Sequence, residues 1–278
     1  MNDRAQSSAS LPMLQKALAW TVRGVWIAPA LSLLGCLAAW EAAVRYFDVP
    51  IYLVPAPSQI AGQLLVSYPQ FLQATFSSAI SIIVGFGLAV IVGIPAATMM
   101  IYSKVFRRSI YPILLTAQVL PKVALAPLFI VWFGFGLLPK VLMTFLISFF
   151  PIVIDSLIGL NSVRPESLLL LRSMGSTRWQ AFWKVRLPTA LPSIFGGLRV
   201  AITFAVVGTI VAEFVGSDSG LGYILVVARG NLDTLTVFAA ILWLIAMGFL
   251  FYFAVEVAER LCIKGRAARR SHELGAGL

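Results

Sequence analysis

NSVRPESLLLLRSMGSTRWQAFWKVRLP, residues 161–188, is a stretch of mixed polarity between two long apolar runs, and it carries helix signals of its own. Pro165 followed by Glu166 suits a helix first turn, where proline loses no needed donor and the acid complements the helix dipole. Leu168 to Leu171 continue that helix, and Gly175 stands where a left-handed C-terminal cap would end it. Thr177 with Gln180 three residues on makes a capping box for a second helix. The spacing therefore predicts two short helices meeting at Gly175, the second ended by Leu187-Pro188 before the next apolar run. On that second helix Trp179, Phe182 and Trp183 share one face, while Arg178, Lys184 and Arg186 supply cations. Such a pair is shaped to dock into another protein's groove, and is equally suited to lie on lipid headgroups with Trp and Arg at the interface.

Outward from this loop the chain is overwhelmingly apolar. Hydrophobic residues make up 60% of the 278 and charged residues only 12%, against about 45–50% and roughly a quarter in ordinary globular chains. A water-soluble fold could not hide that much apolar surface. Apolar runs fall near residues 25–44, 75–101, 110–134, 139–160, 190–214 and 234–256, each near or above the roughly 20 residues that cross a bilayer as a helix. The expectation is an all-α, polytopic membrane protein of about six transmembrane helices. The third and fourth runs are the weakest, since Pro121 and Pro127 interrupt one and only Phe135 to Leu138 separate it from the next, which leaves five spans as the alternative count. The expected organisation is an N-terminal segment over 1–24, a membrane domain over 25–260 containing the loop at about 161–188, and a basic tail over 261–278.

The net charge of +10 would suggest nucleic acid in a soluble protein. Here, however, sixteen of the twenty-one Lys and Arg residues fall in four segments: the N-terminus, the stretch around Lys104 to Arg108, the 161–188 loop and the C-terminal tail. That is the positive-inside distribution, which explains the charge better than nucleic acid does and puts both termini and the loop in the cytoplasm. Cys36 and Cys262 form no disulfide framework or metal site, and the single histidine, His272, leaves no basis for a His-clustered metal centre or for His catalysis. Leu33-Leu34-Gly35-Cys36 looks like a lipoprotein cleavage box, but the apolar run around it is longer than a signal h-region, so it reads as an uncleaved first span.

Gly175, Val185, Leu187 and Pro188 match the spacing Gly-x9-Ile-x-Leu-Pro that closes the signature loop of binding-protein-dependent ABC transporter permeases. Pro121-Lys122, Ala126-Pro127-Leu128-Phe129, Trp132-Phe133-Gly134, Phe149-Phe150-Pro151, Ala212-Glu213 and Gly220-Leu221-Gly222 resemble the nitrate/sulfonate/taurine-type branch, and the likeness runs from about Val54 to Arg260. One departure stands out. Where the family usually has Glu-Ala-Ala six residues before the glycine, this chain has Leu169-Leu170-Leu171. The resemblance implies that Arg172, Ser173, Met174, Gly175, Ser176, Thr177 and Arg178, with Leu187 and Pro188, couple the chain to a cytoplasmic ATPase. It further implies self-association as a homodimer, a periplasmic solute-binding protein as donor, and residence among lipids of the cell inner membrane. The implied solutes are small anions or compact heterocycles, such as nitrate, bicarbonate, sulfonates, carboxylates, vitamin-precursor pyrimidines or flavins. A phosphate-cradling P-loop requires a Gly-Lys pair and the sequence has none, so this chain is not expected to be an enzyme or to bind a cofactor. ATP and magnesium would sit on the partner ATPase.

Of the charges that fall within the apolar runs, four are candidates for the translocation path: Lys122, Asp155, Arg199 and Glu213. Intramembrane charges are costly, so they are functional or paired. The two readings are pairing of Lys122 or Arg199 with Asp155 or Glu213, and direct lining of an anion pathway. Phe149, Phe150 and Trp243 read as packing or interface anchors. The alternative function from a different class is an ion-coupled secondary transporter or channel, which would transport without ATP and leave the loop at Gly175 without a partner. A membrane enzyme or scaffold is the other, and it lacks a catalytic cluster.

Overall fold

The apolar runs become helices, and the computed structural model contains no strand among the residues it describes, 11–275. Side chains before residue 28 and after residue 263 lie outside the described residues. So do segment 1–10 and therefore Arg4, the tail cations from Lys264 onward, and His272. In chain order the helices are α1 (Leu11–Tyr46), α2 (Pro57–Val66), α3 (Tyr68–Tyr102), α4 (Lys104–Val119), α5 (Ala126–Phe133), α6 (Leu137–Asn161), α7 (Pro165–Ser173), α8 (Arg178–Ala181), α9 (Leu187–Gly216), α10 (Leu221–Gly230) and α11 (Thr234–Gly275). A 3-10 turn, Lys122–Leu125, precedes α5, and a π-helical turn, Phe182–Arg186, precedes α9.

Among the described residues four helices are long and apolar enough to cross a membrane unbroken, and a bent pair raises the number to five. The expectation of about six spans differs at two places. Run 110–134 is not one straight span: Lys104–Val119 and Lys122–Phe133 meet at 89°. Pro121, which cannot donate to the helix ladder and restricts the residue before it, ends α4 at the break. Run 25–44 lies in α1, part of whose side chains are not described, so it is not among the four. The prolines within α3, α6 and α9, namely Pro95, Pro151 and Pro192, are absorbed without ending their helices.

The chain forms two compact units, Met1–Val66 with Leu232–Ala239, and Ser67–Asn231 with Ala240–Leu278. In the first, Glu41 near the end of α1 receives a hydrogen bond from the Ser58 backbone N–H at 3.0 Å and pairs with Arg45 at 2.6 Å. Thr234 Oγ1 donates to the Tyr52 carbonyl at 2.6 Å.

In the second unit α6 lies between α3 and α9 and packs along both. The reason is a stripe of small residues at four-residue spacing: Gly85, Ala89, Gly93 and Ala97 on α3, all buried. A second, at spacings of three and four residues, runs along α9 through Gly197, Ala201, Ala205, Gly208 and Ala212. In hydrocarbon there is little hydrophobic gain from helix association, so close backbone approach and dispersion must hold the bundle. A Cβ added at Gly85 would stand 2.5 Å from Thr144 Cβ and 2.9 Å from the Val141 carbonyl. Gly85→Ala is therefore expected to destabilise the bundle by about 1–3 kcal/mol, the usual range for overpacking, seen as a lower melting temperature in detergent. An unchanged melting temperature would show that α3 and α6 can separate without loss.

Large apolar side chains also stand exposed along the long helices. Phe249, Leu250 and Phe253 on α11 are more than half exposed, as are Phe76, Ile83 and Ile91 on α3. Exposed apolar area of this extent suits a lipid environment and is untenable in water.

Candidate functional site

Three places in the second unit gather the residues singled out by sequence. The first is the loop. Helix α7 begins at Pro165 and ends with Gly175 at φ +75°, the left-handed conformation expected of a C-terminal cap. Its closing bonds are those of a Schellman-type turn: Gly175 N–H to the Arg172 carbonyl and Ser176 N–H to the Leu171 carbonyl, both 3.0 Å. Thr177 and Gln180 form the capping box reciprocally, at 3.0 and 3.2 Å. Trp179, Phe182 and Trp183 pack together with ring centroids 5.4–6.0 Å apart, Phe182 buried and the two tryptophans exposed. Arg172 and Met174 to Arg178 line the exposed end of the pair.

One expectation for this loop is overturned. Leu187-Pro188 does not end the second helix. The π turn runs straight into α9, so Arg178–Gly216 is one continuous helix of 39 residues. Pro188 lies inside this continuous helix and has no N–H to give to its ladder, and the wider π turn just before it accommodates the ring. Leu169 and Leu170, standing where the resemblance leads one to expect Glu-Ala-Ala, are exposed.

The second place is a buried ionic cluster at the opposite end of α6 and α9. Glu213 is 1% exposed and Lys140 3%, with Lys140 Nζ 3.8 Å from Glu213 Oε1. Ser78 Oγ donates to Glu213 Oε1 at 2.7 Å, and the Gly222 N–H donates to Oε2 at 2.8 Å. Lys140 Nζ donates to the Ser219 carbonyl at 2.8 Å and reaches Ser219 Oγ at 3.2 Å and Ser77 Oγ at 3.5 Å. Gly220 makes this possible: at φ +109° it adopts a conformation that L residues avoid, and a Cβ there would overlap the Glu213 carboxylate. The cluster binds α3, α6, α9 and the 217–222 turn together, with its polar groups mutually satisfied.

This arrangement corrects the expected pairings. Glu213 pairs with Lys140, not with Lys122 or Arg199. Arg199 meets Glu259 of α11 at 3.4 Å, and among the described residues Asp155 has no ion-pair partner within 4.0 Å. Helix geometry gives the reason. Asp155 packs on Gly197, whose added Cβ would lie 2.5 Å from Asp155 Cβ. Arg199 is two residues further, so at 3.6 residues per turn it points to roughly the opposite face of α9. Arg199 and Glu213 are separated by about 21 Å along the same helix axis at 1.5 Å per residue. Lys140 sits at the edge of an apolar run, and only the antiparallel packing of α6 on α9 reveals its partner.

The third place is a cavity of about 560 Å³ that brings Lys122 and Asp155 to one wall system with Gln118, Phe150, Phe204 and Val207. Lys122 reaches it because the chain breaks at Pro121, and its ammonium stands over the Phe150 ring at 4.4 Å from the centroid. Phe150 is thus more than a packing residue, whereas Trp243 is an anchor: it stacks on Phe71 at 5.7 Å and donates its Nε1–H to Thr75 at 2.6 Å. A cation, a carboxylate and an amide in a mainly apolar hollow can orient a small polar solute. No group of three or more His, Cys, Asp or Glu residues suited to a metal occurs among the described residues.

A family model described as "Binding-protein-dependent transport system inner membrane component" matches residues 89–263. The formylaminopyrimidine transport permease protein ThiX of Halalkalibacterium halodurans is 34% identical over 239 residues, 86% of this chain and 95% of that protein. The riboflavin transport system permease protein RibX of Chloroflexus aurantiacus is 33% identical over 237 residues, covering 84% and 87%. The taurine transport system permease protein TauC of Escherichia coli is 32% identical over 228 residues, covering 80% and 82%. A solved inward-facing form of the MetNI methionine ABC transporter shares the fold with a TM-score of 0.61 at 19% identity, over 70% of this chain and 97% of that one.

Proposed function

Because the chain belongs to the family of binding-protein-dependent transport system inner membrane components, we propose that it forms the solute path of an ATP-driven importer, with the helix pair at Gly175 as the coupling element. Two copies of the chain would associate, two ATPase subunits carrying ATP and magnesium would dock on the loops, and a periplasmic binding protein would deliver the solute. The relatives' solutes, formylaminopyrimidine, riboflavin and taurine, support a small polar organic solute as the class.

The observation that carries this reading is the continuity of Arg178–Gly216. A partner that grips Arg172 to Arg178 pushes on the end of a helix that also supplies Phe204 and Val207 to the Lys122 cavity and Glu213 to the ionic cluster. Displacement of the loop by nucleotide-driven closure would tilt α9 as a lever and change access to the cavity from one side to the other. A secondary carrier would have no use for such a lever.

Gly175→Leu tests it. The Cβ meets no neighbour within 4 Å, so the substitution costs only the left-handed backbone penalty, on the order of 1 kcal/mol. Folding is expected to survive while the bulk at the exposed tip disrupts docking, abolishing solute-stimulated ATP hydrolysis in proteoliposomes. Full stimulation in the variant would reject the coupling role and favour a loop that lies on the headgroups.

Orientation follows the basic residues: both termini and the loop would be cytoplasmic. Single cysteines at residues 106, 176 and 268 in a variant lacking Cys36 and Cys262 are expected to resist an impermeant thiol reagent in intact cells and to react in inverted vesicles. Labelling of any of the three from outside would overturn that topology.

A further inference from the structure

A cavity of about 270 Å³ opens where the helix pair meets the end of α3 and the start of α4, and its wall carries Lys104, Arg172, Arg178 and Arg186 with the hydroxyl residues Ser176 and Thr177. No Asp or Glu lines it. None of the four cations forms an ion pair among the described residues, where the pairs are Arg45–Glu41, Lys140–Glu213, Arg199–Glu259 and Arg260–Glu256. Arg186 Nη1 is buried with no hydrogen-bond partner, and its guanidinium carbon lies 5.6 Å from the centre of the Tyr102 ring. Four like charges converge on one hollow, and a buried guanidinium nitrogen lacks an acceptor. Both are unfavourable until an anion with several acceptor oxygens enters.

We propose that this cavity binds a phosphate group, that of an anionic phospholipid headgroup. The placement favours lipid as the source. Ile101 and Tyr102 of the wall end a 35-residue apolar helix, so the cavity lies at the level where a spanning helix leaves the hydrocarbon. Basic pockets between helices at that level take phospholipid headgroups. The bound phosphate would join the base of α3 and the start of α4 to Arg172 and Arg178, bracing the loop in the position seen here. The proposal rests on this geometry and on neither the transported solute nor the ATPase, so its failure would leave the permease reading standing.

The test is native mass spectrometry of the purified full-length chain, titrated in detergent with dioleoyl phosphatidylglycerol, dioleoyl phosphatidylcholine or inorganic phosphate. Phosphatidylglycerol is expected to bind in preference to phosphatidylcholine. Arg186→Gln and Lys104→Gln are each expected to weaken it by at least roughly fivefold, the equivalent of one cation at a membrane surface. Arg108→Gln, an exposed cation on α4 outside the cavity, should leave it nearly unchanged. Lys104 is exposed, so its substitution is expected to spare the fold and its variant carries the test even if Arg186→Gln folds poorly. Equal binding of both lipids, or an equal loss in Arg108→Gln, overturns a built site in favour of diffuse surface charge. Displacement of the lipid by millimolar inorganic phosphate, dependent on Lys104, overturns the lipid as occupant and assigns the same cavity to free phosphate.

Discussion

Lys140→Met is expected to reduce the yield of folded protein severely while Lys140→Met with Glu213→Gln recovers much of the loss. Removing one partner of a buried ion pair strands the other charge, which typically costs about 3–5 kcal/mol. Glu213 would keep the Ser78 and Gly222 donors in the single variant, but its negative charge would lose the ammonium 3.8 Å away. Met retains the apolar volume of the lysine stem, so the effect reads the charge and not a cavity. In the double variant the glutamine carries no charge and its carbonyl still accepts one of the two hydrogen bonds. The measurement is the monodisperse fraction after detergent extraction together with thermal unfolding of both variants. A single variant that extracts and melts like the parent would show that the pair is dispensable at this end of the bundle.

Lys122→Met is expected to behave in the opposite way, with normal folding and impaired uptake. Lys122 makes no ion pair among the described residues and stands over Phe150 at the wall of an open cavity, so its loss strands no buried carboxylate. A hydrogen bond to a charged group is worth about 1.5–3 kcal/mol, so an anionic solute bound by Lys122 should require roughly 10- to 100-fold higher concentration for half-maximal uptake. Basal ATP hydrolysis by the assembled importer should be preserved. Asp155→Asn sharpens the result. It should help or spare an anionic solute and should impair one that presents amino groups to the carboxylate. Unchanged uptake in Lys122→Met removes this lysine from the path, and poor folding would make it a structural residue.

The two expectations differ because two lysines of similar sequence context have different surroundings. Both follow a proline directly, Pro121-Lys122 and Pro139-Lys140, and both fall in apolar runs. Local sequence treats them alike. Lys140 begins α6 opposite the end of α9 and so meets Glu213, while Lys122 follows a break in the chain and has an aromatic ring beneath it.

The sequence by itself determined what local chemistry dictates. Apolar run length and charge scarcity required membrane helices, because a backbone in hydrocarbon is satisfied only in helices or closed barrels, and continuous apolar runs of about 20 residues match a helix rather than the roughly 9–11 residues of a barrel strand. Pro165, Gly175, Thr177 and Gln180 determined the helix pair, since caps and left-handed turns depend on residues within a few positions of one another. What only the tertiary structure decided depends on which faces meet. The four-residue spacing of Gly85, Ala89, Gly93 and Ala97 is written in the chain, but that it seats α6 follows from packing. The continuity of the loop with α9 turned on a π turn that accommodates Pro188. The partners of Glu213 and Arg199 were set by an antiparallel register and by a rotation of about 100° per residue around α9. Those are relations between residues far apart in sequence, and a charge in an apolar run shows that a partner or a function is needed without showing which one the fold supplies.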